Sequence, residues 1–316
     1  MEFDYLTKRD RAVDFLANSL REGTLVLFLG AGVSSGAGLP TWPALVKSMR
    51  TEVGLHNDGV TSDADSLERA AQEIERKFYH KDDRGFAELV QKCLYQGISL
   101  DDSVVADRLL TALGALLMGS RRGSVRRIVT FNYDSVLESY ISLNGLVPKV
   151  VLQPPVDEGA EDVRIYHPHG FLPHPELKIK GSDFVMLSSS SINLRIGAPY
   201  DPWIELLRHT LATGVGLFVG LSLHSFRDRA LAPLLTTVGK GLKVRRPTGF
   251  WILKEDGDND SQVDEEFLGW NDGQARTDLS VMSGSGADVR IGGGRRRAGI
   301  YHPRLRGCKV SRTCER

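Results

Sequence analysis

Four short apolar runs without polar alternation constrain the fold of this chain more than any other feature. They are bounded by turn residues and comprise residues 24–29, 127–131, 215–220 and 250–253. A strand with one face in water alternates apolar and polar side chains, whereas a strand covered on both faces of a parallel sheet is continuously apolar. The runs therefore predict a buried, mostly parallel β-sheet.

Amphipathic stretches with helical spacing lie between these runs, together with weaker strand candidates at 146–152, which Pro148 interrupts, and 163–166. Strands that alternate with helices predict an α/β fold, with a Rossmann-like, mostly parallel sheet and helices on both faces. The interval 43–122 holds only helical patterns, so we expect an inserted helical lobe beside the sheet. The helical candidates are residues 43–53, 66–79, 85–94, 104–118, 134–141, 203–212 and 226–238.

The charge is balanced over the whole chain but uneven along it. Lys plus Arg and Asp plus Glu each total 40, which favours neither a nucleic-acid nor a membrane partner for the whole molecule. Residues 289–316 hold nine Lys or Arg against one acid, whereas residues 255–272 hold eight acids and no base. This change predicts one domain over residues 1–270 and a poorly ordered, Gly/Arg-rich basic tail over 271–316.

The cysteines and the apolar windows indicate where the protein resides. Cys93, Cys308 and Cys314 are too few and too scattered for a disulfide framework or a four-thiolate zinc site, which favours a reducing compartment. The first residues lack an apolar signal core, and the longest apolar window, 214–223, has about half the length of a membrane span. We therefore expect a cytoplasmic protein with no membrane partner.

A glycine-rich turn follows the first predicted strand, with Gly30, Gly32 and Ser34 in the stretch TLVLFLGAGVSSGAGLPTW. Glycines at the end of a strand let the backbone approach a ligand, and free N–H groups at the next helix favour phosphate, so a nucleotide pyrophosphate is expected. Packing of a tight turn is the alternative. Ser35 replaces the third dinucleotide-binding glycine, and no acidic residue ends a second strand about 20 residues later, since that region is helical; both features disfavour a dehydrogenase. The P-loop lysine is also absent.

Polar residues and glycines also follow three other predicted strands. Asn132 and Asp134 follow the second strong run, His169-Gly170 follows the strand candidate 163–166, and Gly220 and Ser222 follow the third strong run. The carboxyl ends of parallel strands face one crevice, so these turns are expected to form one pocket with the glycine turn.

With these strand-end motifs in this order, the chain resembles the sirtuin superfamily, and most closely the sirtuin-like NAD hydrolases of bacterial anti-phage defence. Deacetylase-type sirtuins carry two Cys pairs on a zinc ribbon and an Asp-Phe-Arg run, where this chain has no ribbon and has Thr41, Trp42 and Pro43. These departures put acetyl-lysine chemistry in doubt. The matching motifs are residues 30–34, 38–42, 130–134, 169–170 and 218–223.

The resemblance implies cleavage of the nicotinamide–ribose bond of NAD, as substrate, without a metal. His169 would accept a proton from a ribose hydroxyl or water, and Asn132 would hold the ribose hydroxyls or the water. Asp134 would orient Asn132 or the nicotinamide amide, or cap the following helix. The implied NAD-binding residues are Gly30, Ala31, Gly32, Ser34, Pro40, Trp42, Asn132, Asp134, Gly220 and Ser222.

Several of these residues have a second interpretation. His167 and His169 flank Pro168, and they form either a metal pair or solvated loop positions. His224 contacts ligand or begins a surface helix, and Trp42 covers the cofactor or packs under the helical lobe. At the level of function, the alternatives to a hydrolase are a non-catalytic NAD or ADP-ribose sensor and, less favoured, a protein deacylase.

An NAD-depleting effector that causes abortive infection must stay silent in healthy cells, so regulation is expected. The candidates are homo-oligomerisation and a separately encoded ATPase or helicase partner. The basic tail has three interpretations: it pairs with the acidic stretch 255–272 of a neighbouring subunit, it contacts nucleic-acid phosphates, or it has no role.

Overall fold

A computed structural model describes most of the chain between residues 9 and 221 and three short segments beyond. The described residues are 9–78, 83–99, 108–118, 123–154, 159–177, 179–188, 190–191, 198, 200–221, 249–253, 279–283 and 289–291. The helices are α1 (Arg9–Arg21), α2 (Trp42–Glu52), α3 (Ala64–Phe78), α4 (Asp83–Leu94), α5 (Arg108–Leu117), α6 (Val136–Leu143) and α7 (Pro202–Thr213). The strands are β1 (Leu25–Leu29), β2 (Arg127–Thr130), β3 (Pro148–Val151), β4 (Val163–Tyr166), β5 (Val215–Val219), β6 (Gly249–Leu253), β7 (Leu279–Ser283) and β8 (Val289–Ile291).

The strands form one sheet in the order β3-β4-β2-β1-β5-β6-β7-β8. The pairs from β3 to β7 are parallel, and β8 pairs antiparallel with β7 at the edge. All five residues of β1 and of β5 are buried, as their uninterrupted apolar sequences predict. The mostly parallel sheet is therefore confirmed.

The two faces of the sheet carry separate hydrophobic cores, because alternate residues of a strand point to opposite sides. On β1, Leu27 belongs to the first core and Phe28 to the second, and neither side chain is exposed. Residues of α1 to α6 contribute to the first core, and α7 covers the second with Trp203, Leu207 and Leu211. The predicted α/β fold with helices on both faces is confirmed.

The expected helical lobe is present between β1 and β2. Within it, α2, α3 and α4 pack against one another. Met49, Ile74 and Val90, one from each helix, are fully buried and belong to the first core. The lobe is therefore continuous with the core on that face of the sheet.

Helix α1 was not predicted from the sequence. Charges spread around this helix obscure its apolar stripe, of which Ala12 is buried and Phe15 and Leu16 pack against the first core. The predicted boundary at residue 270 falls between β6 and β7, so the sheet includes two strands from the stretch assigned to the tail. The helical candidate 226–238 lies outside the described residues. No helix in the described segments is long and apolar enough to cross a membrane.

Candidate active site

Four turns meet at the carboxyl-terminal edge of the sheet, because β4, β2, β1 and β5 are consecutive neighbours. Each of these strands ends in one of the predicted motifs. Phe131 N donates to Leu29 O at 3.0 Å, and Gly30 N donates to Val219 O at 3.0 Å. The backbone hydrogen bonds between neighbouring strands therefore continue into the turns. The structure therefore brings together motifs from residue 30 to residue 220.

The glycines of the first turn pack directly against the turn after β5. Gly32 N donates to Gly220 O at 2.9 Å. A Cβ at Gly30 would lie 2.7 Å from Gly220 O, and a Cβ at Gly32 would lie 2.9 Å from Gly220 Cα. Gly220 has φ +67°, and its own Cβ would lie 2.6 Å from Val33 N. Close packing of two turns therefore requires all three glycines.

This packing changes the expected phosphate site. The N–H groups of Gly30 and Gly32 are bonded to Val219 O and Gly220 O, so they are not free donors for a phosphate. The chain then forms two 3₁₀ turns, Ala31–Val33 and Ser35–Ala37, and α2 begins only at Trp42. The glycine turn therefore does not lead directly into the N-terminus of an α-helix. Ala31 and Gly32 are exposed beside this edge.

Asn132 connects the turn after β2 with the glycine turn. Its Nδ2 donates to Gly30 O at 3.1 Å and to Ser34 Oγ at 3.0 Å. Because a carbonyl oxygen only accepts, the contact with Gly30 fixes which end of the amide is nitrogen. Asn132 Oδ1 makes no hydrogen bond within the described residues. It therefore retains its full capacity to accept a hydrogen bond.

Asp134 lies beneath this contact and is buried. Its Oδ1 accepts from Ser34 Oγ at 3.0 Å and from Val136 N, at the start of α6, at 3.1 Å. Burial raises the pKa of Asp134 from 3.8 to about 6, although both hydrogen bonds lower it. Since Ser34 donates its proton to Asp134, its oxygen is free to accept from Asn132. Asp134 therefore contacts Asn132 only through Ser34, and it also accepts a hydrogen bond from the first residue of α6.

The two histidines of the turn after β4 lie in different environments. The His169 ring packs against Phe131, with centroids 5.0 Å apart, and the residue is 9% exposed. His167 is 1% exposed, and its ring nitrogens contact Asn132 O at 3.1 Å and Glu138 Oε1 at 2.8 Å. The interpretation of His167 as a solvated position was wrong, because both its ring nitrogens are hydrogen-bonded inside the protein.

Gly170 and the segment after it shape the His169 turn. Gly170 has φ +106°, and a Cβ there would lie 2.8 Å from Val185 Cγ1. Met186 N donates to His169 O at 2.9 Å. Glu75 of α3 accepts hydrogen bonds from two backbone N–H groups and two hydroxyls of residues 187–191. The helical lobe is thereby connected to the backbone of His169.

The remaining predicted residues lie near this edge or outside the described residues. Trp42 is half-buried and packs against the first core, which agrees with its structural interpretation, and Pro40 is half-buried beside it. Ser222 and His224 lie outside the described residues. Within the segments that the structure describes, no group of three or more His, Cys, Asp or Glu side chains could hold a metal ion.

Sequence reasoning did not identify the polar network behind the site. Tyr95 OH accepts from Ser135 N at 2.8 Å and donates to Leu172 O at 2.7 Å, and Ser135 Oγ accepts from His174 N at 3.0 Å. Burial raises the pKa of Tyr95 well above its usual range. Nothing in the local sequence marks these residues. Tyr95, Ser135 and the pair Leu172 and His174 are separated from one another by 37 or more positions.

An open cleft of about 480 Å³ lies at the opposite, amino-terminal edge of the sheet. None of the predicted site residues lines it. Its lining residues are Leu20, Arg21, Glu22, Gly23, Gly123, Ser124 and Arg126.

Comparison with known proteins finds proteins that are similar to this chain. Residues 126–271 match the SIR2-like domain family, which confirms the resemblance to sirtuins. The chain is also 22% identical over 257 residues to the NAD(+) hydrolase ThsA of Bacillus cereus (strain MSX-D12). That match covers 80% of this chain and 48% of the relative, so the chain spans about half the length of that protein.

Proposed function

We propose that this SIR2-like chain is an NAD hydrolase that releases nicotinamide and ADP-ribose. The observation that carries the proposal is the fixed amide of Asn132, held by Gly30 O and Ser34 Oγ where four strand-end turns meet. The similarity to an NAD(+) hydrolase supports the choice of substrate.

The cationic nicotinamide ring of NAD takes the bonding electron pair and leaves as neutral nicotinamide, so an oxocarbenium-like positive charge develops on the ribose. The protein must position the ribose, stabilise this charge and present a water. Asn132 Oδ1 has no partner among the described residues and accepts a hydrogen bond from a ribose hydroxyl or from the water. An amide does this over a wide pH range, because it does not titrate.

His169 is the proposed proton acceptor. The C1′–N bond breaks with its electron pair on nicotinamide, the water oxygen bonds to C1′, and the proton of the water passes to His169. An imidazole with a pKa near ~6.5 in water accepts a proton at cellular pH. The ring of His169 packs against Phe131, with centroids 5.0 Å apart.

The pyrophosphate and the second ribose of NAD are proposed to lie over the exposed part of the glycine turn. Ala31 and Gly32 are exposed there, and Pro40 and Trp42 border the same segment. Because the N–H groups of Gly30 and Gly32 are bonded to β5, we assign these glycines to close approach of the backbone rather than to N–H donation.

Nicotinamide release from NAD by the purified protein tests the proposal. Asn132→Ala and His169→Ala should each lower kcat by about 100-fold or more, since each removes a positioned group at the reacting centre. His209→Ala, an exposed histidine on α7, serves as the matched control and should retain wild-type kcat. Binding of NAD without release by wild type would favour the sensor, whereas wild-type activity in Asn132→Ala would remove its role.

The biological role that we propose is depletion of NAD during phage infection, through self-assembly or a separately encoded ATPase or helicase partner. The support is the resemblance of the motif set to the sirtuin-like hydrolases of anti-phage defence. Bacteria that express the chain should lose NAD after infection, and those that express Asn132→Ala should not. Unchanged NAD in both strains would contradict this role.

A further inference from the structure

A buried histidine–carboxyl pair supports the backbone of Asn132 from below. His167 Nδ1 contacts Asn132 O at 3.1 Å, and His167 Nε2 contacts Glu138 Oε1 at 2.8 Å. Both side chains are 1% exposed or less. The pair therefore connects α6 to the turn after β2 through the turn after β4, out of reach of solvent.

The chemistry of these contacts fixes the state of one ring nitrogen. Asn132 O is a carbonyl and only accepts, so His167 Nδ1 must carry a hydrogen. The contact between Nε2 and Glu138 Oε1 then shares one further proton, whichever partner holds it. In both cases Glu138 orients the ring, and His167 donates to the backbone of Asn132.

A gain in stability does not explain why this buried polar pair is present. Glu138 Oε2 is buried and has no hydrogen-bond partner within the described part of the chain. A buried polar pair is often no more stable than apolar residues of similar volume, and an unpartnered oxygen adds a cost. The arrangement therefore points to a requirement for the donor at Nδ1.

Asn132 needs such a donor because it lies between elements, where no strand ladder or helix holds its carbonyl. β2 ends at Thr130, and α6 begins at Val136. The backbone N of Asn132 donates to Thr130 Oγ1 at 3.2 Å, and among the described residues only His167 donates to its carbonyl oxygen. A rotation of this peptide would move the side-chain amide away from Gly30 O.

We propose that His167 and Glu138 are positioning residues that fix the Asn132 peptide and thereby aim its amide at the ribose of NAD. The proposal rests on the proposed NAD cleavage, in which Asn132 is the group that touches the substrate. His167 and Glu138 act only through Asn132.

Two double variants separate positioning from stability. H167M/E138M replaces the pair with apolar side chains and removes the donor, whereas H167N/E138M also removes Glu138 but keeps an amide N–H at the place of Nδ1. Relative to wild type, H167M/E138M should unfold at an equal or higher temperature and lose at least tenfold in kcat. H167N/E138M should recover kcat to within about threefold of wild type. If H167M/E138M does not fold, H167Q provides the variant without the Nδ1 donor.

A matched control removes a hydrogen bond of the same kind within the helical lobe. Asn57 Nδ2 donates to Lys47 O of α2 at 3.2 Å, also from a side chain to a carbonyl. N57L should lower the unfolding temperature and leave kcat within twofold of wild type. A folded H167M/E138M protein with wild-type kcat would overturn the proposal, as would equal losses in H167M/E138M and H167N/E138M.

A second readout remains valid if the wild type does not cleave NAD. The side-chain N–H resonances of Asn132 in ¹⁵N spectra should coincide in wild type and H167N/E138M, and should shift or broaden in H167M/E138M. Unchanged resonances in all three proteins would overturn the positioning role. Absence of nicotinamide release with the expected spectral change would instead overturn only the proposed hydrolysis.

Discussion

Replacing Asp134 with asparagine should stabilise the protein at neutral pH and remove a pH dependence of its stability. Burial raises the pKa of Asp134 from 3.8 to about 6, so the charged carboxylate is disfavoured in the folded state. A shift of about two units corresponds to ~3 kcal/mol of unfolding free energy above pH 6. Asparagine can accept the same bonds from Ser34 Oγ and Val136 N. Its extra N–H group costs at least ~1 kcal/mol of this gain, which leaves ~1–2 kcal/mol.

The sign of the pH dependence follows from the raised pKa. Between pH 6 and pH 4 the folded state binds more protons than the unfolded state, so the contribution of Asp134 to stability rises as the pH falls. The stability advantage of Asp134→Asn should therefore shrink by ~2 kcal/mol between pH 7 and pH 4.5.

Urea unfolding of both proteins at pH 7 and pH 4.5 measures this difference, and the comparison cancels the titration of all other groups. Ser34→Ala is the control, since it removes the hydrogen bond to Asp134 but keeps the buried carboxyl. An advantage of Asp134→Asn that is equal at both pH values, or a loss of stability at pH 7, would refute the assignment of a raised pKa to Asp134.

Three further predictions follow from particular contacts. Gly220→Ala should lower the free energy of unfolding by ~2 kcal/mol or more, because a Cβ there would lie 2.6 Å from Val33 N. Gly145→Ala, at φ +77° with open space around it, should lower it by only ~1 kcal/mol. Equal losses in thermal unfolding would contradict the close packing of the turns. Glu75→Ala should increase the rate of limited proteolysis within residues 181–191, and Glu73→Ala on the same helix should not. Nicotinamide release should persist in a chelator, because the leaving group needs no Lewis acid; activity that zinc restores after chelation would contradict this.

The sheet could be predicted because its central strands are buried on both faces. Val163–Tyr166 forms β4 with the expected bounds, and Pro148 does not interrupt β3, because it is the first residue of that edge strand. β7 and β8 were not predicted, since they lie in a stretch whose glycines and charges obscure any strand pattern. Their pairing depends on the edge that β6 offers rather than on their own sequence.

The positions of the candidate site residues were predictable, but several of their contacts were not. Parallel strands place Asn132, the glycine turn and the His169 turn at one edge, so the motifs alone imply that these residues are neighbours. The hydrogen bond from Gly30 N to β5 depends on the close approach of two turns. A Gly-x-Gly pattern is equally typical of such turn packing and of phosphate binding, so the sequence could not distinguish the two. The pairing of His167 with Glu138 joins residues 29 positions apart and requires contact between α6 and the turn after β4.

A crystal structure of the His169→Ala protein with NAD would test the central claim most directly. We predict that the nucleotide lies across the turns after β1, β2 and β4, with a ribose hydroxyl or a bound water within about 3 Å of Asn132 Oδ1. NAD bound elsewhere, for example in the cleft between Arg21 and Arg126 at the opposite edge of the sheet, would contradict it.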